Sequence, residues 1–237
     1  MATRLSMTDA DRDRVGGAVA AAEAHSAGEI VTILAECSDD YGDVALAWAA
    51  AVGLLALLAL VIAPAFYLGL YERMSGGWLH EWSPRMVLGI AATVFAIKFG
   101  SMWLLMLIRP LRLWLTPRSI LHERVHERAV TCFKIGAERR THGRTGILIY
   151  LSLAEHRAEI VADEAIAGKV AAEIWGDAMA AMLAELKRGR LADGLIAAVE
   201  RVGSVLADHF PRHENDINEL PDRLIEIGDT NPSKPRH

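Results

Sequence analysis

Thr145–Asp163, TGILIYLSLAEHRAEIVAD, is the stretch that decides the fold. From Ile147 to Leu153 it is almost continuously apolar, and Ile147, Leu148, Ile149, Tyr150 and Leu151 leave neither face polar. A strand of that kind is buried on both sides, as in a layered α/β sheet. Ala154-Glu155-His156-Arg157 supplies a turn, and Ala158–Ala162 returns antiparallel beside the first strand.

Working outward toward the N-terminus, Thr8-Asp9-Ala10-Asp11 has a hydroxyl cap and acids in a first helical turn. Val15, Ala18, Val19 and Ala22 follow at helical spacing, and Gly28 stops the helix. Glu29–Glu36, EIVTILAE, is then a strand rich in β-branched residues. It needs the later hairpin to bury its faces, so the two belong to one sheet although more than a hundred residues separate them.

Between them lie two apolar runs. Val44–Tyr71 has no charged residue, and at about 1.5 Å per residue it exceeds the roughly 30 Å hydrocarbon core of a bilayer. Pro64 is expected to kink or shorten it. A loop, Glu72–Pro84, carries Trp78 and Trp82, a residue type that favours the headgroup level. Met86–Ile108 is long enough to return. Ala45, Ala49 and Gly53 in the first span, and Ala92, Ala96 and Gly100 in the second, are spaced by four. Such faces let helix backbones approach closely in lipid, which predicts a tight hairpin and a route to homo-oligomers. Arg109, Arg112, Arg118 and Arg124 follow the second span, against Arg73 and Arg85 in the loop. Positive-inside counting then puts both termini in the cytoplasm of a two-pass protein of the bacterial inner (plasma) membrane.

Past Pro117 a charged amphipathic helix is expected over about Ile120–Arg140. After the hairpin, Ile166, Val170, Ile174, Ala178, Met182 and Leu186 are spaced by four and predict one helix from Glu164 to Arg188, ended by Gly189. Leu195, Val199, Val202 and Leu206 mark a last helix, Ala192–His209, closed by Pro211. Leu220–Ile227 is a short amphipathic piece that docks. The chain thus divides into 1–43 (first helix and strand), 44–108 (an inserted transmembrane hairpin), 109–227 (the rest of the α/β domain) and a disordered 228–237.

The totals exclude some classes. A net charge of −5 over 237 residues, with no dominant basic face, argues against nucleic acid as a partner. Cys37 and Cys132 have neither CxxC spacing nor a Cys/His cluster around them, so they read as free thiols. The first forty residues are polar or alanine-rich, so the apolar signal is internal rather than a leader.

The hairpin, the helix with Trp175, GRLADGLIAAVERVGSVLADHFP (Gly189–Pro211) and NELPDRL (Asn218–Leu224) together resemble the TPM-domain family. The likeness is strongest to the bacterial membrane branch, in which two spans interrupt the domain. It implies a three-layer α/β/α sandwich around a small mixed sheet. Family members include a thylakoid lumen protein with acid phosphatase activity, calcium-binding domains and a receptor accessory subunit. Many soluble members carry a glycine-aromatic-glycine turn with acids after the second hairpin strand. Here Val161-Ala162-Asp163-Glu164-Ala165 stands in its place, and the catalytic carry-over fails.

Four features carry chemistry worth weighing. His122-Glu123-Arg124-Val125-His126 is a literal HExxH: on a helix the two imidazoles share a face suited to zinc, with Glu123 as general base. Against a zinc peptidase stand the charge of Arg124 inside the motif, Ala129 where an extended motif has glycine, and a third ligand drawn only from Glu138, Glu155 or Glu159. Glu155, His156 and Asp163 are a second set, either a cation site such as calcium at one sheet edge or a polar turn plus a helix cap. His209 and His213 flank a proline at a helix end. Lys98 is a fourth feature: near the middle of a span it marks snorkelling or a partner contact. With Arg109 and Arg112 it forms the expected membrane or partner surface.

The reading that results is a membrane-anchored accessory or scaffold, binding another membrane or envelope protein without catalysis. A membrane-associated hydrolase, a zinc peptidase through His122, Glu123 and His126 or a TPM-type phosphatase, is the alternative.

Overall fold

A computed structural model describes residues 7–74, 83–136, 145–212 and 223–228. Trp78, Trp82, Glu138, His213 and most of the tail read above lie outside those residues. The chain forms two compact units, 1–40 with 118–237 and 41–117.

In the first unit, α1 (Asp9–Glu23) starts where its cap dictates. The Thr8 hydroxyl accepts from the Asp11 amide while the Asp11 carboxylate accepts from the Thr8 amide. This reciprocal box satisfies two of the helix's orphan donors. Four strands follow: β1 (Glu29–Ala35), β2 (Gly146–Ser152), β3 (Arg157–Ala162) and β4 (Ile225–Ile227), in the sheet order β3-β2-β1-β4. β1 pairs parallel with β2, Glu29 opposite Gly146 through Ala35 opposite Ser152. β2 pairs antiparallel with β3, and β4 lies parallel to β1. The sheet is therefore mixed.

Strand periodicity sorts the side chains into two layers. Ile30 and Leu34 of β1 and Ile147, Ile149 and Leu151 of β2 face α1, α8 (Ala172–Leu186) and α9 (Leu191–His209). Val31, Ile33 and Ala35, with Leu148 and Tyr150, face Val125, Ala129 and Phe133 of α6 (Arg118–Gly136). Helices thus cover both faces of the sheet, the α/β/α sandwich that the apolar β2 run required.

Two expectations change here. The helix read as Glu164–Arg188 is broken into α7 (Glu164–Ala167) and α8 at Gly168–Ala171. The four-residue spacing runs through the break because Ile166 of α7, Val170 within the break, and Ala178 and Met182 of α8 all reach the same core. The Leu220–Ile227 piece ends in β4, a strand, since its last three residues complete the open edge of β1. β4 covers only Ile33–Ala35. Higher up β1, the amide of Ile30 donates instead to the buried Glu23 carboxylate at 2.7 Å, so α1 supplies the partner that β4 is too short to give.

In the second unit, α2 (Gly42–Ile62) and α4 (Pro84–Met106) are both long and apolar enough to cross a membrane. Pro64 ends α2 and opens α3 (Pro64–Met74), because the residue before a proline is pushed out of helical geometry, as Ala63 is. A short α5 (Arg109–Leu115) follows α4, and the indole of Trp48 on α2 donates to its Leu115 carbonyl at 3.1 Å. The expected meeting of two small-residue faces is corrected. Ala45, Ala49 and Gly53 are buried, but Ala92 and Ala96 on α4 are exposed. It is the Phe95 ring that closes on Gly53, where an added Cβ would stand 2.6 Å from it. Large packs into small rather than small against small.

Candidate functional site

At the carboxyl ends of β1 and β2 the chain builds a buried polar knot. Glu155, in the β2–β3 turn, is 8% exposed. Its carboxylate accepts from the Ser38 amide at 2.9 Å and the Cys37 thiol at 3.2 Å, and the Ser152 hydroxyl also donates to it. The Ser38 and Tyr150 hydroxyls lie 3.0 Å apart. Burial pushes the Tyr150 phenol up to about 12, and the Ser38 contact offsets only part of that rise. Beside the knot, Ser38, Asp39, Arg124, Glu127, Arg128 and Thr131 line a shallow pocket of about 210 Å³. The Arg128 Nε is buried without a hydrogen-bond partner among the described residues.

The second set read from the sequence does not converge. Glu155 sits at one end of the β2–β3 hairpin, whereas Asp163 sits at the other, where its carboxylate accepts from the Gly146 amide at 3.1 Å. The six residues of β3 keep them about 20 Å apart at roughly 3.3 Å per residue. Nor does the Asp163 side chain cap α7; it ties the start of β2 instead. His156 is exposed at the turn with a positive φ of 52°. These three residues cannot share one cation.

The first set fares differently. His122 and His126 lie one turn apart on α6, and Glu159 rises from β3 beneath them. His122 Nδ1 is 3.4 Å from Glu159 Oε1, and His126 Nδ1 is 3.5 Å from Oε2. Glu159 was one of three acids the sequence offered; alternation along β3 puts it on the α6 side with Val161. Arg124, the charge that spoke against the motif, turns aside to Asp39 at 3.2 Å and Glu127 at 3.6 Å. Glu123 is exposed, and among the described residues no group of three such side chains stands preset around a metal. His209 Nδ1 lies 3.0 Å from the Val205 carbonyl, within its own helix.

In the membrane-length unit, Lys98 is exposed on α4 and has no ion pair among the described residues. The Arg112 carbonyl accepts from the Thr116 hydroxyl at 2.8 Å, tightening the end of α5. Cys37 and Cys132 form no disulfide, and burial raises the Cys132 thiol.

These elements define a class: a mixed-sheet α/β/α sandwich with an apolar helix pair inserted between its two central strands. The family model described as TPM domain matches residues 116–205, the segment from α6 into α9. Among solved structures the chain is similar to the BA42 protein from the psychrophilic bacterium Bizionia argentinensis, determined by NMR, with 18% identity and a TM-score of 0.55. The match covers 96% of this chain and 100% of that one, and at this identity it is a likeness of fold. No curated protein matches the chain.

Proposed function

We propose that this chain is a two-pass protein of the bacterial inner membrane, of the TPM branch with an inserted hairpin. Its α/β unit then serves as an accessory or scaffold for another membrane or envelope protein. The observation that carries this reading is the apolar exposure of α2 and α4. Leu54, Leu55, Val61 and Ile62 on α2, with Leu88, Ile97 and Leu104 on α4, are all more than half exposed. A soluble protein rarely leaves so continuous a surface to water, whereas lipid solvates it at no cost. The arginines that follow α4, Arg109 and Arg112 first, favour cytoplasmic termini.

Within the bilayer the unpacked small-residue face of α4 (Ala92, Ala96) and the charged Lys98 are the surfaces offered to a partner, whether a different membrane protein or a second copy. A photo-crosslinking residue placed at Ala92, Ala96 or Lys98 in cells is expected to give a discrete protein adduct that Leu54 or Leu55 does not give. Labelling of lipid alone at every one of these positions would remove the binding role.

A further inference from the structure

We propose that His122, His126 and Glu159 form a site for a divalent transition-metal ion of the zinc class, one that ties α6 to β3. The two histidines share a helix face because residues four apart do. Val125 and Ala129, fully buried against the sheet, fix which face that is and hold the imidazoles at the margin of the α6–sheet packing. Glu159 is anchored opposite Tyr150 on β2, and its side chain is only 17% exposed, so its carboxylate is held while the imidazoles, 62% and 57% exposed, are free to turn.

The separations are the central observation. Charge-assisted hydrogen bonds between imidazolium and carboxylate run at about 2.7–2.9 Å. The observed 3.4 and 3.5 Å are too long for that, one oxygen facing each ring. Two ligand atoms each about 2.0–2.1 Å from a tetrahedral ion stand roughly 3.3–3.4 Å apart, close to this spacing. Each imidazole faces one oxygen of the same carboxylate, and holding a single ion requires the two exposed rings to turn toward a common centre. Two imidazoles and one carboxylate suit zinc, nickel or copper rather than calcium or magnesium, which take oxygen ligands. The Arg124 guanidinium, drawn off by Asp39 and Glu127, leaves the site without a competing cation from inside the motif. An ion there cross-links the helix that follows the apolar insertion to the outer strand of the sheet. Glu123 has no part in holding it.

The test uses the full chain, purified in detergent without a histidine tag and stripped with a chelator. Zinc is then titrated in competition with a chromophoric chelator, and thermal unfolding is followed with and without the metal. The account expects equimolar, saturable zinc binding and a zinc-dependent rise in Tm. Affinity should fall about tenfold or more in H122A, H126A and E159Q, and stay unchanged in E123A and H156A. The two histidine variants change exposed side chains and carry the test if E159Q misfolds; circular dichroism checks each. Absence of saturable zinc binding, binding indifferent to H122A and H126A, or calcium binding in its place overturns the proposal.

Discussion

The Glu155 carboxylate and the Ser38 amide meet at 2.9 Å across 117 residues of chain, closing the carboxyl ends of β1 and β2 onto each other. The contact bridges the point where the apolar insertion leaves the sheet. With the Cys37 thiol and the Ser152 hydroxyl also donating, the carboxylate satisfies three buried groups at once. Glu155→Ala leaves those buried donors without it. The expected loss is about 1–3 kcal/mol in unfolding free energy, with Glu155→Gln costing less because an amide oxygen still accepts. Denaturant titration of the two variants checks the order.

Tyr150 gives a pH dependence of known sign. Its folded value lies near 12, above the ordinary 10, because burial disfavours the phenolate. The stability it contributes is complete below pH 10 and is lost as pH rises from 10 through about 12, since the unfolded chain releases the proton first. Tyrosinate absorbance near the ultraviolet red edge should show one phenol that ionises late and together with unfolding. In Tyr150→Phe that late component should vanish.

Gly53 and Phe95 should behave as one unit. A Cβ at position 53 would enter the Phe95 ring, so Gly53→Val is expected to lower the detergent Tm, and Phe95→Ala should relieve much of that loss. A double-mutant cycle read by thermal unfolding measures the coupling, expected at about 0.5–3 kcal/mol for residues in contact. Simple additivity would show that the two helices do not pack through this pair.

Gly203 makes the corresponding contact in the α/β unit. A Cβ there would come within 2.5 Å of the Ala22 Cβ, and neither backbone has a flexible side chain to yield. Gly203→Ala should push α9 from α1 and destabilise by about 1–3 kcal/mol, the usual range for overpacking. Gly17, where a Cβ meets nothing within 4 Å, is the matched control, and Gly17→Ala should be neutral or stabilising.

Much of the sandwich was legible because its signals are local. The two-sided apolar run of β2 demanded helices on both faces, and Thr8 with Asp11 marked the start of α1. β4 escaped because three residues carry too little pattern; only its pairing with Ile33–Ala35 defines it. The α7–α8 break escaped because periodicity reports the core, which is continuous, and not the backbone, which is not. The small-residue faces were correctly placed on their helices, yet spacing alone does not say which face turns inward, and a phenylalanine took the place expected for alanine.

For the candidate site the same division holds. That Glu155 and Asp163 stand apart follows from the hairpin itself, because a six-residue strand separates the turn from its far end. That Glu159 and not Glu155 stands beside the two histidines needed the tertiary fold, since it depends on how α6 lies over β3. Ser38 and Cys37 drew no attention because neither belongs to a motif; their role comes from the parallel pairing that brings the ends of β1 and β2 together.

The central claim, a two-pass membrane protein with both termini in the cytoplasm, is tested most directly by paired reporters at the C-terminus with alkaline carbonate extraction of the membranes. A green fluorescent reporter there should fluoresce, a periplasm-dependent phosphatase fused at the same place should be inactive, and the chain should stay in the carbonate pellet. Release by carbonate, or an active phosphatase at the C-terminus, would contradict the account.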